Sequence, residues 1–184
     1  MPYDEKRVLQ QLADPATRRK AFAEVVQHFG QPLYWKIRHI VLTHEDADDV
    51  LQNTFLKAWA KLDEFQQLSK LSTWLYRIAV NESLDLLRRR KKETEMLTDD
   101  DSHSVADRLI ADTYFDGDET QARLQEAISH LPSVQRTVFT LRYYDNMKYS
   151  EMSRVMNTSE GALKASYHIA VKKIHDYVLN FSND

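Results

Sequence analysis

From Glu93 to Asp118 the chain carries nine carboxylates against a single arginine, Arg108. A stretch this acidic with so few apolar anchors cannot bury enough surface to offset its ordering entropy, so it reads as a linker and not as part of a core. It divides the 184 residues into two small units and a strap, with boundaries at 1–92, 93–119 and 120–184. The overall net charge of −3 conceals this segregation: residues 1–92 are net +4, 93–118 net −8 and 119–184 net +1. Turn formers are scarce, with 3 Gly and 4 Pro in the whole chain, too few for a β sandwich or a glycine-looped α/β enzyme. The absence of Cys excludes disulfide scaffolds, cysteine nucleophiles and thiolate zinc sites. No run of 18 uncharged apolar residues occurs, and Met1 to Arg7 lacks the apolar core of a signal peptide, so the expectation is a soluble, cytoplasmic protein without membrane insertion.

Apolar spacing predicts helices throughout, hence an all-α fold of two small helical domains joined by an acidic flexible linker. Asp14-Pro15 has the form of a cap followed by a first-turn proline, and Gly30 closes that segment. Pro32 opens a second helix with Leu33, Ile37, Ile40 and Val41 on one face. In a third, Leu51, Phe55, Trp59 and Leu62 recur every three or four residues behind the acidic start Glu45-Asp46-Ala47-Asp48-Asp49, where the macrodipole favours carboxylates. A fourth runs from about Leu71 to Arg90, with Leu71, Trp74, Leu75 and Ile78 aligned, and ends in Arg88-Arg89-Arg90-Lys91-Lys92. The distal half predicts helices over Gln121–His130, Ser133–Tyr144, Tyr149–Met156 and Ser159–Val178. The last two are separated by Asn157-Thr158, with Thr158 as N-cap, which is a helix-turn-helix spacing.

On a helical wheel Leu163, Tyr167, Ala170, Ile174 and Val178 fall together as a core face. Glu160, Gly161, Lys164, Ala165, His168 and Lys172 occupy the adjoining exposed arc. Lys164 and Lys172 suit phosphates or base edges in a major groove, and Gly161 permits close approach of a DNA backbone. A merely solvated face fits the same arc, and His168 alone reads as a surface polar residue before a base reader.

Two long stretches together resemble the extracytoplasmic-function group of bacterial sigma factors. The first is Asp46-Ala47-Asp48-Asp49-Val50-Leu51-Gln52-Asn53-Thr54-Phe55-Leu56-Lys57-Ala58-Trp59, followed by Phe65 and then Ser72-Thr73-Trp74-Leu75-Tyr76-Arg77-Ile78-Ala79-Val80-Asn81. The second is Leu131-Pro132, Arg136, Val138-Phe139 and Leu141-Arg142, then Tyr149-Ser150-Glu151-Met152, then Thr158-Ser159-Glu160-Gly161 with Lys164. The order is that of the family, a promoter-melting domain first and a helix-turn-helix domain last, and the match spares only the acidic strap.

The resemblance implies an initiation factor that binds core RNA polymerase, recognises minus-ten and minus-thirty-five promoter elements and promotes DNA opening. Asp48, Asp49, Gln52, Asn53 and Lys57 would meet the clamp helices of the largest polymerase subunit. Capping alone needs one or two acids, not four. The loop Phe65-Gln66-Gln67-Leu68-Ser69-Lys70 corresponds to the family's base-capturing pocket, and Arg77, Asn81 and Arg88 on the next helix would meet the opened strand. Opening DNA breaks stacking, so replacement stacking or a pocket is needed, with cations such as Arg88 to Lys92 for the phosphates. The spacing of Trp74 with Leu71 and Ile78 also fits a core position. Ser159, Glu160, Gly161, Lys164, Ala165, His168 and Lys172 would read the minus-thirty-five duplex.

The sequence departs from the family pattern in two places. Gln67 stands where a loop glycine is common, and Lys164-Ala165-Ser166-Tyr167-His168-Ile169 lacks two usual arginines, which predicts fewer phosphate contacts. The family's linker threads polymerase channels that later hold RNA, a path suited to a polyanion. Asp99, Asp100 and Asp101 would also compete with DNA for the basic surfaces of the free protein, although a plain soluble spacer accounts for the same composition. Members of the family are commonly restrained by an anti-sigma factor, a partner class that no residue here identifies. No nucleophile–base pair, metal-ligand spacing or phosphate loop stands out, so neither catalysis nor a cofactor is expected. A divalent metal at His44, Glu45, Asp46 and Asp49 is another reading of the acidic start, although hard-cation ligands usually come from wrapping loops. Two rivals to the family reading remain: a stand-alone helix-turn-helix regulator with an N-terminal sensing or dimerisation domain, and a metal-dependent helical-bundle hydrolase, which would need acidic and His ligands on facing helices that the seven His do not show.

Overall fold

Helices built on these apolar stripes account for the architecture of the computed structural model, which describes residues 3–66, 68–96 and 119–181. In chain order they are α1 Glu5–Ala13, α2 Arg18–Val41, α3 His44–Ala60, a 3-10 turn Leu62–Glu64, α4 Leu71–Met96, α5 Glu119–Ser129, α6 Ser133–Tyr143, α7 Tyr149–Met156 and α8 Glu160–Phe181. Among the described residues there is no strand. Most of the acidic strap, with Asp99, Asp100 and Asp101, lies outside the described residues.

Four local expectations are corrected. Gly30 and Pro32 do not separate two helices; both lie within the continuous α2. Pro32 lacks an N–H and leaves one carbonyl of the helix without its backbone partner, but it sits on the exposed side where water can serve instead. Meanwhile Val25, Leu33, Ile37 and Ile40 stay buried along the other face. Asp14 is the C-cap of α1, with its carboxylate accepting from the Ala16 N–H at 2.9 Å, and α2 starts only at Arg18. α4 runs past the basic cluster to Met96, so the strap's first residues are helical. Val178 is 41% exposed and leaves the core face, whereas Leu163, Ala170 and Ile174 are buried there.

The corners are short and specific. Leu42 takes a left-handed φ of 74°, unusual for a leucine, as its N–H closes onto the Arg38 carbonyl at 2.9 Å. Thr43 then caps α3, its hydroxyl accepting from the Asp46 N–H at 3.3 Å. A carboxylate from another helix starts α4: Glu5 of α1 accepts from the Leu71 N–H at 3.0 Å. Between α7 and α8, Asn157 adopts φ 51°, and the Ser159 hydroxyl accepts from the Ala162 N–H at 3.3 Å. Ser159 is therefore the cap expected at Thr158, whose hydroxyl turns back to the Met156 carbonyl.

The two halves are docked. α1, α2, α3 and α4 pack around one core, and Val138, Leu141, Met152, Val155 and Leu163 of the distal half join the same cluster. α7 lies against α4, and α6 against α2. A smaller second cluster, Ala127, Ile128, Leu131, Phe139, Ala170 and Ile174, holds α5, α6 and α8 together. Arg136, buried at the α5–α6 corner, donates to the Ser129 carbonyl at 3.1 Å, and burial lowers its pKa.

Candidate protein and nucleic-acid interfaces

α3 turns one side to the core through Ala47, Val50, Thr54 and Ala58, and the opposite arc to solvent. Asp48, Asp49, Gln52, Asn53 and Lys57 are all exposed. Asp46 is not part of that arc. At 2% exposure it pairs with Arg90 of α4, an ionic contact, not a well-directed hydrogen bond. The acidic start thus splits by depth: one carboxylate ties α3 to α4, and the others face outward.

Two members of the arc are positioned by neighbours. His44 Nε2 lies 3.3 Å from the Asp48 carboxylate, and its Nδ1 is 2.8 Å from the Tyr34 hydroxyl. His44 thereby bridges Tyr34 of α2 and Asp48 one turn along α3. Lys57 is held by Glu82 of α4, whose side chain is 11% exposed. The arc also contains a residue the sequence reading passed over. Leu56 is 61% exposed and, at 100° per residue, falls between Gln52 and Asn53 and beside Asp49. An apolar side chain inside a polar rim is how a protein interface is anchored. The helical wheel alone sets it on the polar side, away from the stripe of Ala47, Val50, Thr54 and Ala58, so the signal was present in the sequence. On the α2 side the arc borders a shallow groove of about 270 Å³ lined by Tyr34, Trp35, His44 and Leu51.

On α4, Arg77, Asn81 and Arg88 share one exposed stripe, interrupted by Asp85, which pairs with Arg88 at 2.6 Å. A polar groove of about 550 Å³ between α3 and α4 is lined by Asn53, Lys57, Glu82, Arg88, Arg89 and Lys92. Arg90 contributes to the fold through Asp46 and is not simply one more outward cation. Before α4, Phe65 is half-buried with its ring 4.9 Å from that of Trp74, while Gln66, Leu68, Ser69 and Lys70 are exposed, Leu68 by 88%. Trp74 is neither a full core residue nor a free platform: it is half-buried against Phe65. Gln67 lies outside the described residues. An exposed loop with an aromatic pair at its root, followed by a cationic stripe, offers a base a stacking surface and its phosphates a path.

In the distal half, the cap Ser159 and Glu160, Gly161, Lys164, Ala165, His168 and Lys172 of α8 are all exposed. Lys164 Nζ lies 5.6 Å from the centre of the Tyr149 ring on α7. Arg154, exposed in the last turn of α7, is a further cation where the first helix of such a motif crosses a phosphate backbone. The grouping His44, Glu45, Asp46 and Asp49 does not converge on a point, because Asp46 is spent on Arg90 and Asp49 faces outward. Among the described residues no three His, Asp or Glu side chains come together as a metal site. Among them, too, no helix is long and apolar enough to cross a membrane.

Comparison with known proteins accords with this geometry. Residues 25–93 match the Sigma-70 region 2 family model, and residues 121–174 match Sigma-70, region 4. The ECF RNA polymerase sigma factor SigW of Bacillus subtilis is 31% identical over 157 residues, covering 80% of this chain and 83% of that protein. The ECF sigma factor SigM of Mycobacterium tuberculosis is 31% identical over 153 residues, 83% of this chain and 74% of its own length. Among solved structures, CnrH in complex with the cytosolic domain of CnrY has a TM-score of 0.67 at 24% identity, over 95% of this chain and 96% of that one. The sigma factor RpoE in complex with the anti-sigma factor NepR from Bartonella quintana has a TM-score of 0.65 at 22% identity, over 86% and 97%. These two share the fold of two helical domains.

Proposed function

The chain belongs to the extracytoplasmic-function group of RNA polymerase sigma factors, and from that premise we propose how its surfaces divide the work of initiation. The exposed arc of α3, with Asp48, Asp49, Gln52, Asn53 and Lys57 around Leu56, docks on the clamp helices of the polymerase largest subunit. The loop Phe65 to Lys70 with Arg77, Asn81 and Arg88 receives the opened minus-ten strand. The face Ser159, Glu160, Gly161, Lys164, Ala165, His168 and Lys172 enters the minus-thirty-five major groove. The protein works in the cytoplasm as residues 1–92 and 120–184 joined by an acidic strap, and it performs no chemistry itself: polymerase does. An anti-sigma partner is part of the reading, supported by the two structural relatives solved with CnrY and NepR.

The observation that carries this assignment is the separation of surfaces. Asp48 and Asp49 flank the exposed Leu56 on α3, while Arg77, Arg88, Arg89 and Lys92 on α4 and Lys164 and Lys172 on α8 form separate exposed stretches. A protein partner with basic helices and a nucleic acid are thereby served by different faces. The test is run-off transcription with core polymerase lacking its own specificity subunit, on the region upstream of this chain's own coding sequence. A discrete transcript that needs both core and chain is expected. Tight operator binding by the chain alone, with no transcript from the mixture, would instead support a free-standing regulator.

A further inference from the structure

Six histidines lie among the described residues, and five of them are engaged within the protein. His28 stacks on Tyr3 and His39 on Tyr144, with ring centres 3.8 and 4.3 Å apart. His44 bridges Tyr34 and Asp48, His130 lies against the Tyr177 ring, and His175 is 3.4 Å from the neighbouring Asp176 carboxylate. His168 differs. It is exposed and has no hydrogen bond, ion pair or ring contact among the described residues.

Its surroundings are cationic. Lys164 and Lys172 stand four residues before and after it, so the three side chains form one stripe about 12 Å long on the exposed side of α8. α8 meets α5, α6 and α7 through Leu163, Ala170 and Ile174, about 140° around the helix from His168. The titratable groups of those helices reach α8 elsewhere. Glu126 and His130 at the end of α5 meet it at Tyr177. Tyr149 of α7, with Arg142 of α6 over the same ring, meets it at Lys164. On α8 itself Glu160 lies two turns before His168, and the pair His175–Asp176 two turns after it.

An imidazole is the side chain that ordinarily changes charge between about pH 5 and 8. The stripe therefore carries two cations when the ring is neutral and three when it is protonated, and no carboxylate within a turn of His168 takes up the third. Beside a phosphate the protonated ring makes a charge-assisted hydrogen bond, whereas the neutral ring offers no charge. A phosphate that favours the protonated form must in return bind more tightly as protons become available.

We propose that His168 is a proton-dependent phosphate contact, by which the minus-thirty-five face of α8 grips duplex DNA more tightly as pH falls. The inference rests on the promoter-reading function proposed above, and adds to it a dependence that a stripe of lysines alone would lack. Because contact with phosphate favours the charged ring, the contribution is complete in mild acid and is lost as pH rises through the imidazole range.

The test is binding of core polymerase carrying the full-length chain to the duplex upstream of this chain's own coding sequence, at about pH 6 and about pH 8 and fixed salt. From the higher pH to the lower, the affinity of the parent relative to His168→Gln should rise about fivefold, the ratio removing every titration the two proteins share. Over the same interval the slope of log affinity against log salt should steepen by about one in the parent alone. His168→Lys should bind at both pH values as the parent does in acid, and His175→Gln should keep the parent's response. A parent-to-glutamine ratio that does not move with pH overturns the proposal, as does a response that disappears in His175→Gln. If no complex forms on this duplex, the promoter-reading assignment fails, and the contact is judged on the full-length chain alone. There the His168 ring resonances, identified by their loss in His168→Gln, are followed at about pH 7 as a mixed-sequence duplex is added. A move toward the protonated position supports the contact, and unmoved resonances overturn it.

Discussion

The exposed arc of α3 and the exposed face of α8 are both helical, solvent-facing and polar, yet they are built differently. On α3, Asp48 is held by His44, Lys57 by Glu82, and an unburied leucine sits in the middle. On α8, Lys164 leans over the Tyr149 ring, Lys173 reaches Gln135 at 3.1 Å outside the reading arc, and the centre of the face is Ala165 and His168. A pre-positioned rim around an apolar anchor suits a lasting protein contact, because little side-chain freedom is lost on binding. A sparse cationic face suits a duplex delivered at high local concentration, because few phosphate contacts give little affinity alone. Under the proposed division of surfaces, most of the affinity would come from the contact with polymerase, and the DNA contacts would act after delivery.

The contrast breaks first at its foundation. Asp46 is the buried member of its pair and Arg90 the half-exposed one, so the two deletions are not equivalent. Arg90→Ala leaves a buried carboxylate without its cation and should destabilise the N-terminal half by about 3 kcal/mol in urea unfolding. Asp46→Ala should cost clearly less, because the Arg90 guanidinium can rehydrate. Equal losses would show that the pair does not anchor α3 to α4.

Next in size is the docking arc. Asp49→Arg sets a cation against basic clamp helices and should weaken core binding about 100-fold in fluorescence titration, with helicity unchanged. Leu56→Ala should cost roughly tenfold in the same titration, the scale for truncating an apolar interface anchor. An unchanged Kd for Leu56→Ala would make the exposed leucine incidental and erase half of the difference between the two faces.

How much of this was legible depended on whether the signal was local. Seven of the eight helices described follow from apolar spacing, and the distal four lie within a few residues of the expected limits; α1, nine residues before Asp14, was not anticipated. α2 was split in two because a proline in a helical pattern normally marks a boundary; whether it does depends on which side of the helix it faces, and Pro32 faces water. The exposed residues of α3, α4 and α8 share faces because 3.6-residue periodicity alone places them. Long-range pairings left no local trace. Arg90 is one of five consecutive cations in the sequence, and only Asp46 sets it apart; Asp145, between two expected helices, carries no local sign of its contacts with Lys36 and Tyr76. Periodicity also marks an apolar face without naming what covers it, so the shared core of the two halves was not visible.

The reading face should respond more gently than the docking arc. Lys164→Ala should reduce upstream-element affinity severalfold in the polymerase complex, nearly equally for all sequences if Lys164 meets a phosphate, and lower the slope of log affinity against log salt by about one. A loss confined to one base position would instead make Lys164 a base reader and α8 less sparse in specific contacts than it looks.

Gly161→Ala gives the smallest effect and the finest discrimination. A Cβ at Gly161 would meet nothing within 4 Å in the free protein, so the substitution is sterically neutral there. Alanine is the better helix former, and its gain near a helix start should be a few tenths of a kcal/mol in unfolding free energy. If α8 enters the major groove with its N-terminal turn close to a phosphate backbone, the same methyl must find room against DNA, and upstream-element binding should fall while stability rises. Opposite signs in two measurements on one variant cannot come from a folding defect. Stability and DNA affinity rising together would mean that the start of α8 stands off the duplex, and the face that reads it would have to begin farther along, near Lys164 and His168.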